Sequence, residues 1–293
     1  MFDLVAHLKL APGPDAPSVV TVLQEAGADS AFLPPLLAHA GLSTLGRAVM
    51  VISTQQVFLH YALVCRKLGG GVQLMQMPPS QFAFVDALSH LHDHDGDDDD
   101  KWAVTPDPTR PTVGYLRGSI GSDSADAVPP NAQPHLLPAL VDHVRDTLAN
   151  RFAGAPALVI VDDWMPLLYT GCCSAVELVS AIRQLRRLME QTGSVMVTPA
   201  TPDLADPAGD AAVLARGSAD VADTMLVCRG LSTGYSRDVH GQMSVVRGRH
   251  RLAAAHLSNG PVVDRGPEPV TLQFKVVDKG VEFFGSGLAS AVV

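Results

Sequence analysis

Aromatic residues are scarce in this chain of 293 residues: phenylalanine, tryptophan and tyrosine together make up 5%. Hydrophobic residues still reach 47%, with Ala, Val and Leu abundant. That balance suits helices packed on a buried sheet, and the length allows one large α/β domain or two small ones. Cysteine is also sparse, with only Cys65, Cys172, Cys173 and Cys228. None is spaced C-x-x-C, and the adjacent Cys172 and Cys173 are poor disulfide partners, so reduced and partly buried thiols of an intracellular protein are expected. The first ten residues contain Asp3, His7 and Lys9 and lack the apolar core of a signal peptide. No apolar run has membrane-spanning length, so a soluble protein with no membrane partner is expected. A positive excess is missing too. The net charge is −9, and six aspartates in one run (Asp93, Asp95 and Asp97 to Asp100) account for most of it. A global nucleic-acid footprint is therefore excluded, while a local basic patch is not.

What is present is an alternation of apolar runs and helical patterns. Residues 18–23, 47–53 (RAVMVIS), 72–75, 157–161 (ALVIV), 194–198 and 224–228 read as strands. The continuous apolar run of 157–161 is that of a central strand buried on both faces. Residues 34–40, 56–68, 81–91, 136–148 and 175–189 read as helices. Pro34 and Pro35 suit the first turn of the first of these, and Gly69 to Gly71 stop the second. In 175–189 the expected apolar stripe is Val176, Val179, Ile182, Leu185 and Met189, with Arg183, Arg186, Arg187 and Glu190 turned away from it. Short strands at 243–247, 270–277 and 281–284 follow, the last two joined by an Asp278-Lys279-Gly280 turn. The order implies one doubly wound α/β sheet extended by antiparallel strands at its C-terminal end. Residues 93–126 are rich in Asp, Gly, Pro and Ser, and read as a mostly mobile insertion with strand character only at 112–117.

In open α/β sheets ligands bind beyond the carboxyl ends of the strands. After the first strand a phosphate loop needs several glycines and a lysine. Here the loop is Gln24-Glu25-Ala26-Gly27-Ala28-Asp29-Ser30, with one glycine, no lysine and two carboxylates. It reads as a degenerate P-loop centred on Gly27 and Ser30. Asp162 and Asp163 end the ALVIV strand in the Walker-B manner, in which a carboxylate holds Mg²⁺ through its water shell. A cap for the helix after Trp164 explains them equally simply and is preferred, because the motif needs its structural context. The His- and Asp-rich run from His90 to Asp100 fails as a calcium loop: from Asp93, the glycine position is Asp98 and the twelfth is Val104.

Gly230-Leu231-Ser232-Thr233-Gly234 matches G-x-S-x-G, with Asp238 and His256 following in chain order. The nucleophile elbow requires a helix straight after the turn, whereas the residues after Gly234 run into a β-like segment. Five arginines (229, 237, 247, 249 and 251) lie close together with His240 and one acid, Asp238. They form either a solvated hairpin face or a contact surface for an acidic partner or RNA phosphates.

The segment GLSTGYSRDVHGQM at 230–243, the tail FKVVDKGVEFFGSGLASAVV at 274–293 and VIVDDW at 159–164 resemble the family of the sixth subunit of the Elongator complex. The resemblance implies a single RecA-like domain over 1–293, of the P-loop type without a functional P-loop. It implies a hetero-hexameric ring with the fourth and fifth Elongator subunits, two copies of each. That ring binds tRNA and the catalytic remainder of a complex that modifies the wobble uridine of tRNA. The location implied is the cytoplasm, with the nucleus as a second site. The chemistry belongs to another subunit, so neither a catalytic residue nor a cofactor carries over. The arginine cluster supplies candidate contacts to a neighbour's nucleotide site or to tRNA: Arg229, Arg237, Asp238, His240, Arg247 and Arg249. The alternatives are an active RecA-like ATPase with an atypical phosphate loop, or a serine hydrolase using Ser232.

Overall fold

A computed structural model describes residues 3–13, 16–25, 27–28, 30–68, 72–87, 89, 103–107, 110–117, 136–201, 206–231, 234, 236–248 and 267–285. A four-residue helix, α1 (Leu4–His7), is the first of its described elements, and two strands set its architecture. β2 (Ala48–Ser53) and β6 (Ala157–Val161) are buried at every position. Their alternate side chains point to opposite faces. Met50, Ile52, Val159 and Val161 join one core cluster, and Val49, Val51, Leu158 and Ile160 join the other. Both faces therefore need a helical layer. α4 (Leu136–Asp146) and α6 (Ala175–Thr192) cover the first face, and α2 (Leu33–Ser43) and α3 (Phe58–Lys67) the second.

β1 (Val19–Gln24), β3 (Phe82–Asp86), β5 (Arg110–Arg117), β7 (Val195–Ala200) and β8 (Thr224–Arg229) extend these two into a parallel run of order β8-β1-β7-β6-β2-β3-β5. β4 (Ala103–Asp107) adds an antiparallel strand at one edge. β9 (Gly241–Arg247), β10 (Val270–Val277) and β11 (Gly280–Gly285) add three at the other. The fold is thus mixed α/β with a mostly parallel central sheet and antiparallel C-terminal strands.

Some expected elements differ. Residues 81–91 were expected as a helix, yet 82–86 form β3. Phe82 and Phe84 pack toward Phe58 and Tyr61 of α3, while Ala83 and Val85 enter the opposite core. A short run apolar on both faces carries no period that separates strand from helix. The expected strand at 72–75 is replaced by a single 3-10 turn, Leu74–Gln76. β4 and α7 (Asp210–Val221) went unread. α7 is built largely of Ala, Gly and Ser, so its apolar stripe is faint in sequence. Gly217 explains its closeness to α6, since a Cβ there would lie 2.3 Å from Val179 Cγ2. Of the 93–126 insertion, 103–107 and 110–117 form the β4–β5 hairpin, and the rest lies outside the described residues.

The helix α6 begins at a capping box, Ser174 with Glu177, and ends at Gly193 in the left-handed region (φ 64°). Its stripe is shifted from expectation. Val176 is 70% exposed, and Arg186 is buried. Arg186 makes a two-pronged ion pair with Asp223: Nη2 to Oδ1 is 2.9 Å and Nη1 to Oδ2 is 3.1 Å. Nη1 also donates to the Val221 carbonyl, and Asp223 accepts the amides of Ser18 and Val19. One carboxylate thus ties α6, the end of α7 and the start of β1 together.

Burial alone raises the Asp223 carboxyl, but hydrogen bonding and charge from Arg186, with the two amides, outweigh it and hold it below its ordinary 3.8. A depressed carboxyl stabilises the fold above its unfolded value, and that stability is lost as pH falls through the folded value. Asp223→Asn should lower stability at neutral pH by about 2–4 kcal/mol, because it removes the buried partner of Arg186 and leaves its guanidinium only the more exposed Glu190, Nε to Oε1 3.0 Å. In urea titrations the gap between variant and wild type should close as pH falls below about 4.

Candidate functional site

Parallel strands end at a common edge. The carboxyl ends of β1, β7, β6 and β2 open there into a cavity of about 700 Å³, bounded by the first turns of α2 and α3 and by α5 (Met165–Tyr169).

The loop after β1 is closed on itself. Ser30 Oγ donates to Gln24 Oε1 at 2.5 Å, and Gln24 Nε2 donates to the Ala28 carbonyl at 2.9 Å. Glu25 takes an ion pair from Arg229, Nε to Oε1 2.8 Å. Gly27 has φ 78°, and a Cβ on Gly230 would stand 2.9 Å from the Gly27 carbonyl oxygen. Glycine at both positions therefore lets this loop meet the segment after β8. Asp29 lies outside the described residues.

The helix that follows is no phosphate cradle. A helix start binds anions through its free N–H groups. In α2 prolines occupy the first turn, Pro34 and Pro35, and both line the cavity. Each removes an N–H donor. The described lining of the cavity contains no lysine or arginine.

Opposite this loop lie the two carboxylates. Asp162 is buried and accepts the Thr54 amide at 2.8 Å and the Tyr61 hydroxyl at 3.3 Å, and it is in hydrogen-bond contact with Ser53 Oγ. Asp163 accepts Gln55 Nε2 at 2.6 Å and the Met165 amide at 3.0 Å. The Asp163 bond spans two residues at the start of α5, so one of the pair does serve the helix start, while Asp162 clamps the β2–α3 loop instead. Burial pushes the Asp162 carboxyl up to about 6, opposed in part by Ser53 and Thr54 and reinforced by Asp163. Burial also raises Asp163. Tyr61 is pushed well above its usual range, first by burial and then by Asp162. Ser53, Gln55, His60 and Tyr61 went unread as site residues; the loop at 24–30 and the Asp162-Asp163 pair signalled this edge in sequence. Among the described residues no group of three or more His, Cys, Asp or Glu is placed to hold a metal ion.

The basic segment does not form one patch. Arg229 lies opposite Gln242, and Arg247 lies opposite Thr224, at the other end of the β8–β9 ladder. Five ladder steps separate them by roughly 17 Å. Arg237 is exposed. Asp238 pairs with Lys275 at 3.1 Å, and His240 Nδ1 receives the Val276 amide at 3.1 Å. His240 thus fastens the start of β9 to β10. Arg249, Ser232 and His256 lie outside the described residues. The turn after β8 leads to antiparallel β9, with no helix among the described residues between them, so the strand–turn–helix context of a nucleophile elbow is missing.

The family described as Elongation complex protein 6 matches residues 130–264, which include α4 to β9 and the GLSTGYSRDVHGQM segment. Elongator complex protein 6 of Homo sapiens is 28% identical over 285 residues, 94% of this chain and 92% of that protein. The chain is similar to the Elongator complex protein 6 family over more than nine-tenths of its length. The same-named proteins of Xenopus laevis (28% over 280 residues, 93% of this chain and 92% of that one) and Danio rerio (27% over 300 residues, 99% of each) agree. The printed names make these relatives components of the Elongator complex. The relatives carry the name of a complex component, not of an enzyme. Among the described residues no helix is long and apolar enough to cross a membrane.

A carboxyl raised in the folded state stabilises the fold below its unfolded pKa, and this contribution is lost as pH rises through the folded value. For Asp162 that window runs from 3.8 to about 6. The stability of Asp162→Asn relative to wild type should therefore rise by on the order of 2–3 kcal/mol between about pH 4 and about pH 7, read from urea midpoints at each pH.

Proposed function

We propose that the chain is a non-catalytic RecA-like subunit of Elongator that forms a hetero-hexameric ring with the fourth and fifth subunits. In this reading the ring supports tRNA binding and wobble-uridine modification in the cytoplasm and nucleus, and the chain performs no chemistry. The observation that carries the reading is the cavity at the strand ends. It lies where a P-loop protein holds nucleotide, yet its described lining offers two carboxylates, two prolines at the helix start and no lysine or arginine. The parallel order β8-β1-β7-β6-β2, with β1 inside it and the acidic end of β6 two strands away, supports a RecA-like ancestry. Similarity to Elongator complex protein 6 supports the choice of partners.

Mixing the full chain with purified fourth and fifth Elongator subunits, followed by light scattering on the eluted complex, checks the reading. A single species with the mass of two copies of each chain is expected. A chain that elutes alone would count against the ring.

A further inference from the structure

Six large hydrophobic side chains are markedly exposed among the described residues, and four of them sit on the two elements that frame the cavity. Val57, Leu59 and Leu63 (48%, 52% and 40% exposed) belong to the start and outer face of α3, and Tyr169 (78%) ends α5 on the other rim. On α3, His60 and Val64 line the cavity, and Leu59 and Leu63 form the adjacent row one helical turn apart. The apolar surface therefore runs from inside the cavity out over the helix. Exposed apolar surface of this kind, clustered around a pocket, marks a protein contact site.

The charge of the pocket selects what enters it. Asp162 and Asp163 face a described lining without lysine or arginine, and both are held to neighbouring loops by hydrogen bonds that fix their position. Such a floor repels phosphate and attracts a cation. Arginine and lysine combine a cationic head with an apolar stem, which suits an acidic floor under apolar walls.

We propose that this cavity and the outer face of α3 form a docking surface for a neighbouring protein subunit, which inserts an arginine or lysine side chain against Asp162 and Asp163. The phosphate site has become a socket for a side chain of the opposite charge. A cation there favours the ionised carboxylates that burial alone disfavours, so docking and the charge of the floor reinforce each other. The proposal rests on the assembly reading above and names the face that the assembly uses.

The test compares full-length wild type with Leu59→Asp/Leu63→Asp, Asp163→Asn and the control Val176→Asp, which is exposed on α6. Association with the fourth and fifth subunits is measured by sedimentation, and melting temperature is measured for each chain. The rim and floor variants should each weaken association by roughly tenfold or more while each chain still melts cooperatively as a folded protein, with the control at wild-type affinity. Rim variants that associate like wild type would overturn the proposal. A second arm decides the matter even where wild type fails to assemble. Capped arginine amide, capped glutamate amide and inorganic pyrophosphate are titrated separately into the full chain by NMR. Saturable shifts at Gln55, His60 and Asp163 with the arginine compound alone support the socket. No shift with it, or equal shifts with pyrophosphate, contradict it.

Discussion

The structure depends on one constraint: β2 and β6 are parallel, adjacent and buried on both faces. Burial on both faces demands helices on either side, and parallel pairing demands that every crossover return to the same end. All the carboxyl ends then meet at one edge, and the chain can place polar groups there without disturbing the apolar interior. Asp162 shows the consequence. It ends β6, but its hydrogen bonds run to Ser53, Thr54 and Tyr61, so it locks the neighbouring strand end and the start of α3 in place.

The two ends of the sheet are finished differently. At the amino end, Asp223 gathers Arg186 and the amides of Ser18 and Val19 into a closed, satisfied arrangement. At the carboxyl end the carboxylates stand beside open volume, under walls that continue into exposed leucines. A buried pair that is already satisfied has nothing left to offer a partner. An acidic floor under an apolar rim does. The proposed contact therefore lies at the carboxyl edge, and Arg186, despite its charge, serves the fold.

Most of the sheet was legible in the sequence, because 47–53 and 157–161 are unbroken apolar runs between turn signals. The composition of the loop after β1, with one glycine and no lysine, was visible without coordinates. What stayed hidden was context. FAFVD at 82–86 has no period to declare it a strand, and α7 has too few large apolar residues to show its stripe. Arg186 reads as a surface residue until Asp223, 37 positions later, is folded against it. The arginines from 229 to 247 read as a cluster, but the antiparallel return of β9 separates Arg229 from Arg247 and gives Glu25 to the first. Pro34 and Pro35 were read correctly as a helix start, and their effect on anion binding emerged only once that start was seen to border the cavity.

The central claim is that the strand-end site no longer takes nucleotide. Calorimetric titration of Mg²⁺-ATP into the purified full-length chain tests it most directly, with an active RecA-like ATPase as the positive control. The account predicts no saturable heat up to about 1 mM nucleotide. Saturable binding with a Kd below roughly 100 μM, abolished by substitutions at Gly27 or Ser30, would contradict it.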